Sequence, residues 1–290
     1  SSAGIATAAV TSHFYFKKRR GITQGVEEWD NRGAKNIRDS NKDIASPRVV
    51  PRAIAKLRAL AAAGRRFVLF VHLFEPHSTY MRHREYPITR RGVAGLQQKY
   101  DYEIKFADRW FGRLLDGLRE AGLWDRTAVL VFGDHGESFG EHRFYFHGQA
   151  LYNEVLHVPV VLRIPGGPRG RRVQHRVALL DLAPTMLDLM GLSIPEEFQG
   201  VSLLPGIREG YRPPTDRRIG AVLMPYPAWP KGQRALFLGR HKVIHRVTEN
   251  RVEVYDLQAD PGEQRNLATE QPELARRLKQ ELARFAAEQL

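Results

Sequence analysis

The chain opens with weak β pattern and then alternates apolar runs with polar loops. Residues 2–12 are small and weakly β-forming, and a basic Gly-containing loop leads from them to the acidic GVEEWD at 25–30, which predicts one short strand and its exit. Residues 31–48 are polar and lack periodicity, so they read as a loop before a helix over 50–63 that Gly64 stops. FVLFVHLF at 67–74 is almost continuously apolar, as suits a strand buried on both faces, and Pro76 ends it. From 100 to 121, Ile104, Ala107, Phe111, Leu114, Leu115 and Leu118 form one stripe of an amphipathic helix closed by Gly122. The apolar run AVLVF at 128–132 then predicts a second strand. Strand, helix and strand read as a βαβ unit, which brings Glu75-Pro76-His77 and Gly133-Asp134-His135 to one carboxyl edge, where open α/β sheets bind ligands. A further strand is expected over 158–164, ended by Pro165-Gly166-Gly167, and a short helix over 184–190, ended by Gly191.

After residue 216 the texture changes. Short β runs at 234–238, 242–246 and 252–257, separated by turn residues, predict an antiparallel meander, and 272–290 carries Leu274, Leu278, Leu282 and Phe285 on one helical face. The expected fold class is therefore α/β, with a catalytic domain over 1–215 and a small antiparallel sheet plus helix over 216–290.

Composition narrows the function classes. With 42% apolar residues the 290-residue chain can bury a substantial core, and no run approaches the roughly 18 apolar residues of a membrane span. Cysteine is absent, which removes disulfides and thiolate metal sites. Forty-five Lys and Arg against 32 Asp and Glu give +13 and favour anionic partners. The clusters at 17–20 and 169–172 are not interleaved with aromatics and no nucleic-acid module appears, so a nucleic acid is not expected as the partner. Membrane association and oligomeric state stay open. Residues 1–10 begin with Ser1 and are neither a signal peptide nor a complete start for a strand-first fold, which implies a preceding segment.

Asp134 and His135 are the first candidates for chemistry. A carboxylate and an imidazole at a strand terminus make a metal corner, suited to Zn2+ or Mn2+, with the carboxylate alone also suiting Ca2+ or Mg2+. Gly133 and Gly136 permit close approach and unusual dihedrals beside the pair; Asp134 as a turn cap and His135 as a rim histidine are the alternatives. Glu137 fits a supporting or capping acid better than a ligand. His147, in an HG turn, is a candidate acid or base at the transferred group, and His77, fixed behind a strand and a proline, a candidate leaving-group contact or proton donor. The alternatives are a turn histidine and an exposed loop histidine. His142 reads as a surface or support residue, His72 as a core histidine, and 152–154 as structural. Arg82, Arg84, Arg90 and Arg91 suit either a polyanionic glycan or solvated loop charge.

At these residues the chain resembles the sulfatase family of the alkaline phosphatase superfamily. The segments that carry the likeness run in order: AGIATAAV, GITQGVEEWD, FVLFVHLFEPH, YEIKFADRWFGRLLDGLREAGLWDRTAVLVFGDHGESFGEH, HGQALYNEVLHVPVVLRIPG, LLDLAPTMLDLMGL, FQGVSLLP and VYDLQADPGEQRNL. The resemblance implies a mainly parallel sheet sandwiched by helices and a metal-dependent hydrolase of sulfate esters. It implies a divalent metal, Ca2+ first with Zn2+ or Mn2+ as alternatives, held in part by Asp134 and His135, and catalytic roles for His147 and His77 beside the scissile oxygen. Many members carry a lysine in the place of His147 and a Lys-x-x-His element after the TAAV stretch; here the lysine is absent and His13 is the nearest counterpart. The family's Cys/Ser-x-Pro-x-Arg nucleophile motif does not occur in these residues, so the nucleophile, a formylglycine or Ser/Thr, and the first acidic metal pair are expected upstream of Ser1, and the 290 residues alone are expected to turn over negligibly. The expected partner is an anionic small-molecule or glycan sulfate ester, and relatives are commonly exported or membrane-tethered. Two alternatives stand: a phosphodiesterase, phosphonate monoester hydrolase or phosphoethanolamine transferase of the same superfamily, or a non-catalytic glycan-binding relative.

Overall fold

A computed structural model of the chain describes residues 3–16, 21–34, 43–207, 214 and 217–289, which group into two compact units, 1–127 and 128–290. The basic cluster at 17–20 lies outside the described residues. In the first unit the small residues of β1 (Ala6–Val10) form the middle strand of a parallel sheet, between β2 (Glu28–Asp30) and β3 (Phe67–Val71). Ala6 and Ala8 present little side chain, so helix α1 (Ser46–Ala62) packs close to them through Leu60. Alternation in β3 sends Phe67, Leu69 and Val71 toward α1, where Val10, Val49, Ala53 and Phe74 complete the core. The opposite face is covered only in part: Phe70 meets Phe16 and remains 37% exposed, so β3 is not buried on both faces as its apolar run predicts.

Helix α1 starts at Ser46, four residues before the predicted start. The buried Glu75 carboxylate, just beyond β3, accepts the Ala45 and Ser46 backbone N–H groups at 2.7 and 3.1 Å and the Ser46 hydroxyl at 2.7 Å. An acid there satisfies orphan donors and suits the positive end of the helix. Helix α2 (Gly92–Glu120) is longer than the predicted 100–121, and the buried side turns toward Glu103, Phe106 and Leu118 while Ile104 is exposed. Gly117 lets α1 approach closely, since a Cβ there would come within 2.8 Å of Ile54.

The second unit begins with β4 (Val129–Phe132), followed by the hairpin of β5 (Ser138–Phe139) and β6 (Tyr145–Phe146), a single helical turn α3 (Asn153–Leu156) and β7 (Val160–Arg163). The pairing corrects the expected βαβ unit: β3 is hydrogen-bonded to β1, whereas β4 pairs antiparallel with β7, Phe132 opposite Val160. Helix α4 (Leu182–Leu189) follows. A four-stranded antiparallel sheet of β8 (Arg218–Leu223), β9 (Gln233–Leu238), β10 (His241–Arg246) and β11 (Arg251–Asp256) adds one strand to the predicted meander.

Helix α5 (Pro272–Gln289) packs Leu278 and Leu282 against Leu236, Val243 and Val254 on one face of that sheet. The other face meets Ala150, Leu151 and Tyr152 through Ala235, Ile244 and Tyr255. The architecture is α/β with a C-terminal antiparallel sheet and helix, and among the described residues no helix is long and apolar enough to cross a membrane. Because Leu278 is 2% exposed in this cluster, Leu278→Ala is expected to lower the unfolding free energy of the second unit by about 2–5 kcal/mol in urea titrations. A loss below about 0.5 kcal/mol, the scale of an ordinary surface substitution, would mean that α5 is not docked there.

Candidate functional site

The residues after β4 are held by backbone hydrogen bonds. The Gly136 and Glu137 N–H groups donate to the carbonyls of Val155 and Glu154 at 2.7 and 2.8 Å. Only glycine fits at 136, because a Cβ would lie 2.1 Å from the Glu154 carbonyl oxygen. Gly133 needs no such dispensation, since a Cβ there would make ordinary 3.6 Å contacts and neither glycine has a positive φ. The close approach expected of the pair is thus found at 136 alone, and neither glycine takes a left-handed φ.

The hairpin then folds the next candidate back. Ser138 pairs with Phe146 and Phe139 with Tyr145, and this register brings Glu137 and His147 together one step further along. The Glu137 carboxylate accepts a hydrogen bond from His147 Nδ1 at 2.9 Å, so in the neutral ring Nε2 carries the lone pair. The Glu137 side chain is buried, and Glu141 is spent on the hairpin, accepting the Phe139 N–H. His135 Nδ1 donates to the Gly136 carbonyl at 2.9 Å, which likewise gives Nε2 the lone pair, and the His135 and His147 ring centroids lie 4.1 Å apart.

Asp134 is the exposed member, its side chain 77% accessible. Its Oδ1 caps the turn by accepting the His135 N–H at 3.1 Å and stands 3.9 Å from His135 Nε2. That gap is too long for a hydrogen bond but short enough for one shared cation, given ligand distances of about 2.0–2.6 Å. The donor types, one carboxylate oxygen and one imidazole nitrogen, are ones that divalent cations take. Arg163 pairs with Val129, at the other end of β4 from Asp134.

His77 belongs to the first unit. Its Nδ1 donates to the Ser78 carbonyl at 2.6 Å, and its ring stacks on buried Phe74 at 4.9 Å. His13, buried at the exit of β1, stacks on the same Phe74 at 5.3 Å, and its ring lies 6.4 Å from that of His77. The sequence signal for His13 was the family resemblance, in which it is the nearest counterpart of the Lys-x-x-His element. His72 is half-buried rather than a core histidine: it packs edge-on against Phe16 and lies 3.2 Å through Nδ1 from the Ser12 hydroxyl.

The turn at 152–156 is braced in turn by the C-terminal sheet. Glu263 accepts the Asn153 N–H at 2.6 Å and pairs with buried Lys242 at 2.7 Å, while Lys242 also donates to Asn153 Oδ1. Burial pushes the Lys242 ammonium down and the Glu263 carboxyl up. Tyr152 donates to Glu253, which also accepts from Arg246 and Tyr255; burial, with the Glu253 carboxylate beside it, pushes the Tyr152 phenol up to about 12. His142 stacks on Tyr152 at 3.7 Å and joins the Glu154 carboxylate through Nδ1 to the Glu263 carbonyl through Nε2, both at 2.9 Å.

Burial alone would lower the His142 pKa, but the Glu263 carbonyl and the Glu154 carboxylate together outweigh it and raise the value above the ordinary 6.5. The sign follows: the stabilisation from protonated His142 is fully present below about pH 6.5 and is lost as pH rises through the folded-state value. An NMR titration of the ring is expected to give a midpoint above 6.5, and a midpoint at or below it would contradict the double acceptor arrangement.

Comparison with known proteins places these features in a family. The family profile described as Sulfatase matches residues 2–192, and the one described as N-sulphoglucosamine sulphohydrolase, C-terminal matches 140–288. Arylsulfatase K of Xenopus laevis is 26% identical over 224 residues, 73% of this chain and 41% of that protein. N-acetylglucosamine-6-O-sulfatase of Bacteroides thetaiotaomicron is 31% identical over 190 residues, 61% of this chain and 34% of that protein. The chain thus spans about two-fifths of the length of the curated relatives it matches. Among solved structures, BT1596, a 2-O GAG sulfatase, superposes with a TM-score of 0.77 at 18% identity, covering 99% of this chain and 72% of that one. BT4656 in complex with its substrate D-glucosamine-2-N,6-O-disulfate gives 0.73 at 18% identity, covering 98% and 79%. The phosphonate monoester hydrolase of Silicibacter pomeroyi gives 0.72 at 20% identity, covering 86% and 61%, so the fold is shared beyond sulfate esters. The ordered motifs, the α/β architecture with its C-terminal sheet and the match over most of its length agree: the chain belongs to the sulfatase family of the alkaline phosphatase superfamily.

Proposed function

We propose that this chain supplies the metal and leaving-group side of a sulfate-ester hydrolase. Asp134 and His135 hold a divalent cation, Ca2+ in the first place, which when bound lends positive charge to the ester oxygens. His147 is kept in one tautomer by Glu137, so its Nε2 is the atom offered for proton exchange or anion contact. From the first unit, His77 takes the role that the family resemblance gives it at the leaving oxygen, with its tautomer set by the Ser78 carbonyl. The observation that carries the reading is the arrangement after β4: Asp134 and His135 donors 3.9 Å apart, with the His147 ring 4.1 Å from that of His135.

No cysteine and no Cys/Ser-x-Pro-x-Arg motif occurs in these 290 residues, and the reading assigns the nucleophile to none of them. The substrate class we favour is a sulfated sugar. It draws support from relatives and neighbours named for N-acetylglucosamine-6-O-sulfate and glucosamine disulfate chemistry and from the +13 charge.

In the complete protein, Asp134→Ala is expected to abolish divalent-metal retention and to lower hydrolysis of a generic aryl sulfate by at least about 100-fold, the scale seen when a charge-stabilising group is removed. Metal content by mass spectrometry and kcat/KM are the readouts. Unchanged occupancy and rate would overturn the assignment, and a preference for phosphonate or phosphodiester substrates with a transition metal bound would move the protein to the phosphonate hydrolase side of the fold.

A further inference from the structure

The segment between β3 and α2 builds a cavity that the proposed reaction does not use. A cavity of about 500 Å3 is lined by Arg82, His83, Arg84, Tyr86, Arg90 and Arg91, together with Pro87 and Ile88, and is of the size that takes a small ligand. All four arginines are exposed, and among the described residues none of them forms an ion pair with a carboxylate. Glu85, the acid within the segment, is taken by Arg109 at 2.5 Å.

The segment is anchored on both sides by α2. Gln98 Oε1 accepts the Thr89 and Arg90 backbone N–H groups, both at 2.9 Å, and Gln98 Nε2 donates to the Thr89 hydroxyl. On the other side the buried Glu103 carboxyl meets the Met81 N–H at 3.1 Å and His83 Nε2 at 2.5 Å. His83 is further fixed by stacking on Phe106 at 4.1 Å. Burial, reinforced by the charge of Glu75, pushes Glu103 up to about 8, and burial pushes His83 down. Of this pair only His83 lines the cavity, and no carboxylate is among the lining residues.

From this geometry we propose that Arg82, Arg84, Arg90 and Arg91 form a preorganised subsite for the sulfate or carboxylate groups of a polyanionic oligosaccharide. Guanidinium groups recognise such oxyanions through paired N–H donors, and anchoring by α2 lowers the ordering cost of binding. A nucleic acid is disfavoured by the one aromatic ring of the rim. Lys105 Nζ sits over the Tyr86 ring at 4.8 Å and Tyr102 packs beside it at 5.3 Å, so the ring is engaged by protein and unsuited to stacking a base. The choice of a sugar polyanion rests on the sulfate-ester reading; the anion subsite itself rests on the arginines.

The test is calorimetric titration of the full chain with a size-defined sulfated glycosaminoglycan hexasaccharide at physiological salt. Arg82→Gln with Arg84→Gln, and separately Arg90→Gln with Arg91→Gln, are each expected to weaken Kd by at least about tenfold, one charge-assisted contact's worth, with melting temperature unchanged. Divalent-metal content, read by mass spectrometry, is expected to be the same in both arginine-pair variants as in the unsubstituted chain, so failure of the metal assignment and failure of the subsite read out separately. Unchanged Kd in both arginine pairs would overturn the subsite. A desulfated hexasaccharide, inorganic sulfate or a single-stranded oligodeoxynucleotide of matched charge binding as tightly as the sulfated sugar would overturn the ligand class.

Discussion

The candidate site depends on two peptide N–H groups. Gly136 and Glu137 donate to the carbonyls of Val155 and Glu154, and the fit is so close that no side chain is tolerated at 136. This clamp sets where Asp134 and His135 leave β4 and where Glu137 turns to meet His147. A loop at a strand end would otherwise sample many conformations, each residue costing about 1–2 kcal/mol to order. Here the order is supplied from behind, by a turn that is itself pinned.

The pinning comes from the polar side of β10. Alternation sends His241, Val243 and His245 one way and Lys242, Ile244 and Arg246 the other, and the second set is buried against the 150–156 segment. Lys242 pairs with Glu263 and Arg246 with Glu253, while His142 links Glu154 to the Glu263 carbonyl. Buried charges of this kind are tolerated because each has a partner, and removing one partner would leave the other uncompensated. The DPGE turn at 260–263 thus bears on His135 and His147 through the backbone of residues 153–155.

Much of this was legible in the sequence, for reasons that differ by element. The stripe of Leu278 and Leu282 and the strands at 233–256 were readable because period and turn residues agree. The start of α1 was not, because its first donors are met by Glu75, 29 residues away in the chain at Ser46. The β4 pairing was missed because an antiparallel partner reached through a hairpin and a single turn leaves no periodic signal. Asp134, His135, His147 and His77 stood out by residue type beside Gly and Pro. Glu137 read as a supporting or capping acid, but its particular partner, His147, was not legible because it arises from the register of a two-residue hairpin.

The central claim is that Asp134 and His135 share one cation. The most direct measurement is a crystal structure of the protein grown with Mn2+ as a stand-in for Ca2+, with anomalous differences used to locate the metal. The account predicts a peak within about 2.0–2.6 Å of a carboxylate oxygen of Asp134 and of His135 Nε2. An occupied metal site elsewhere, with no peak between these two side chains, would contradict it.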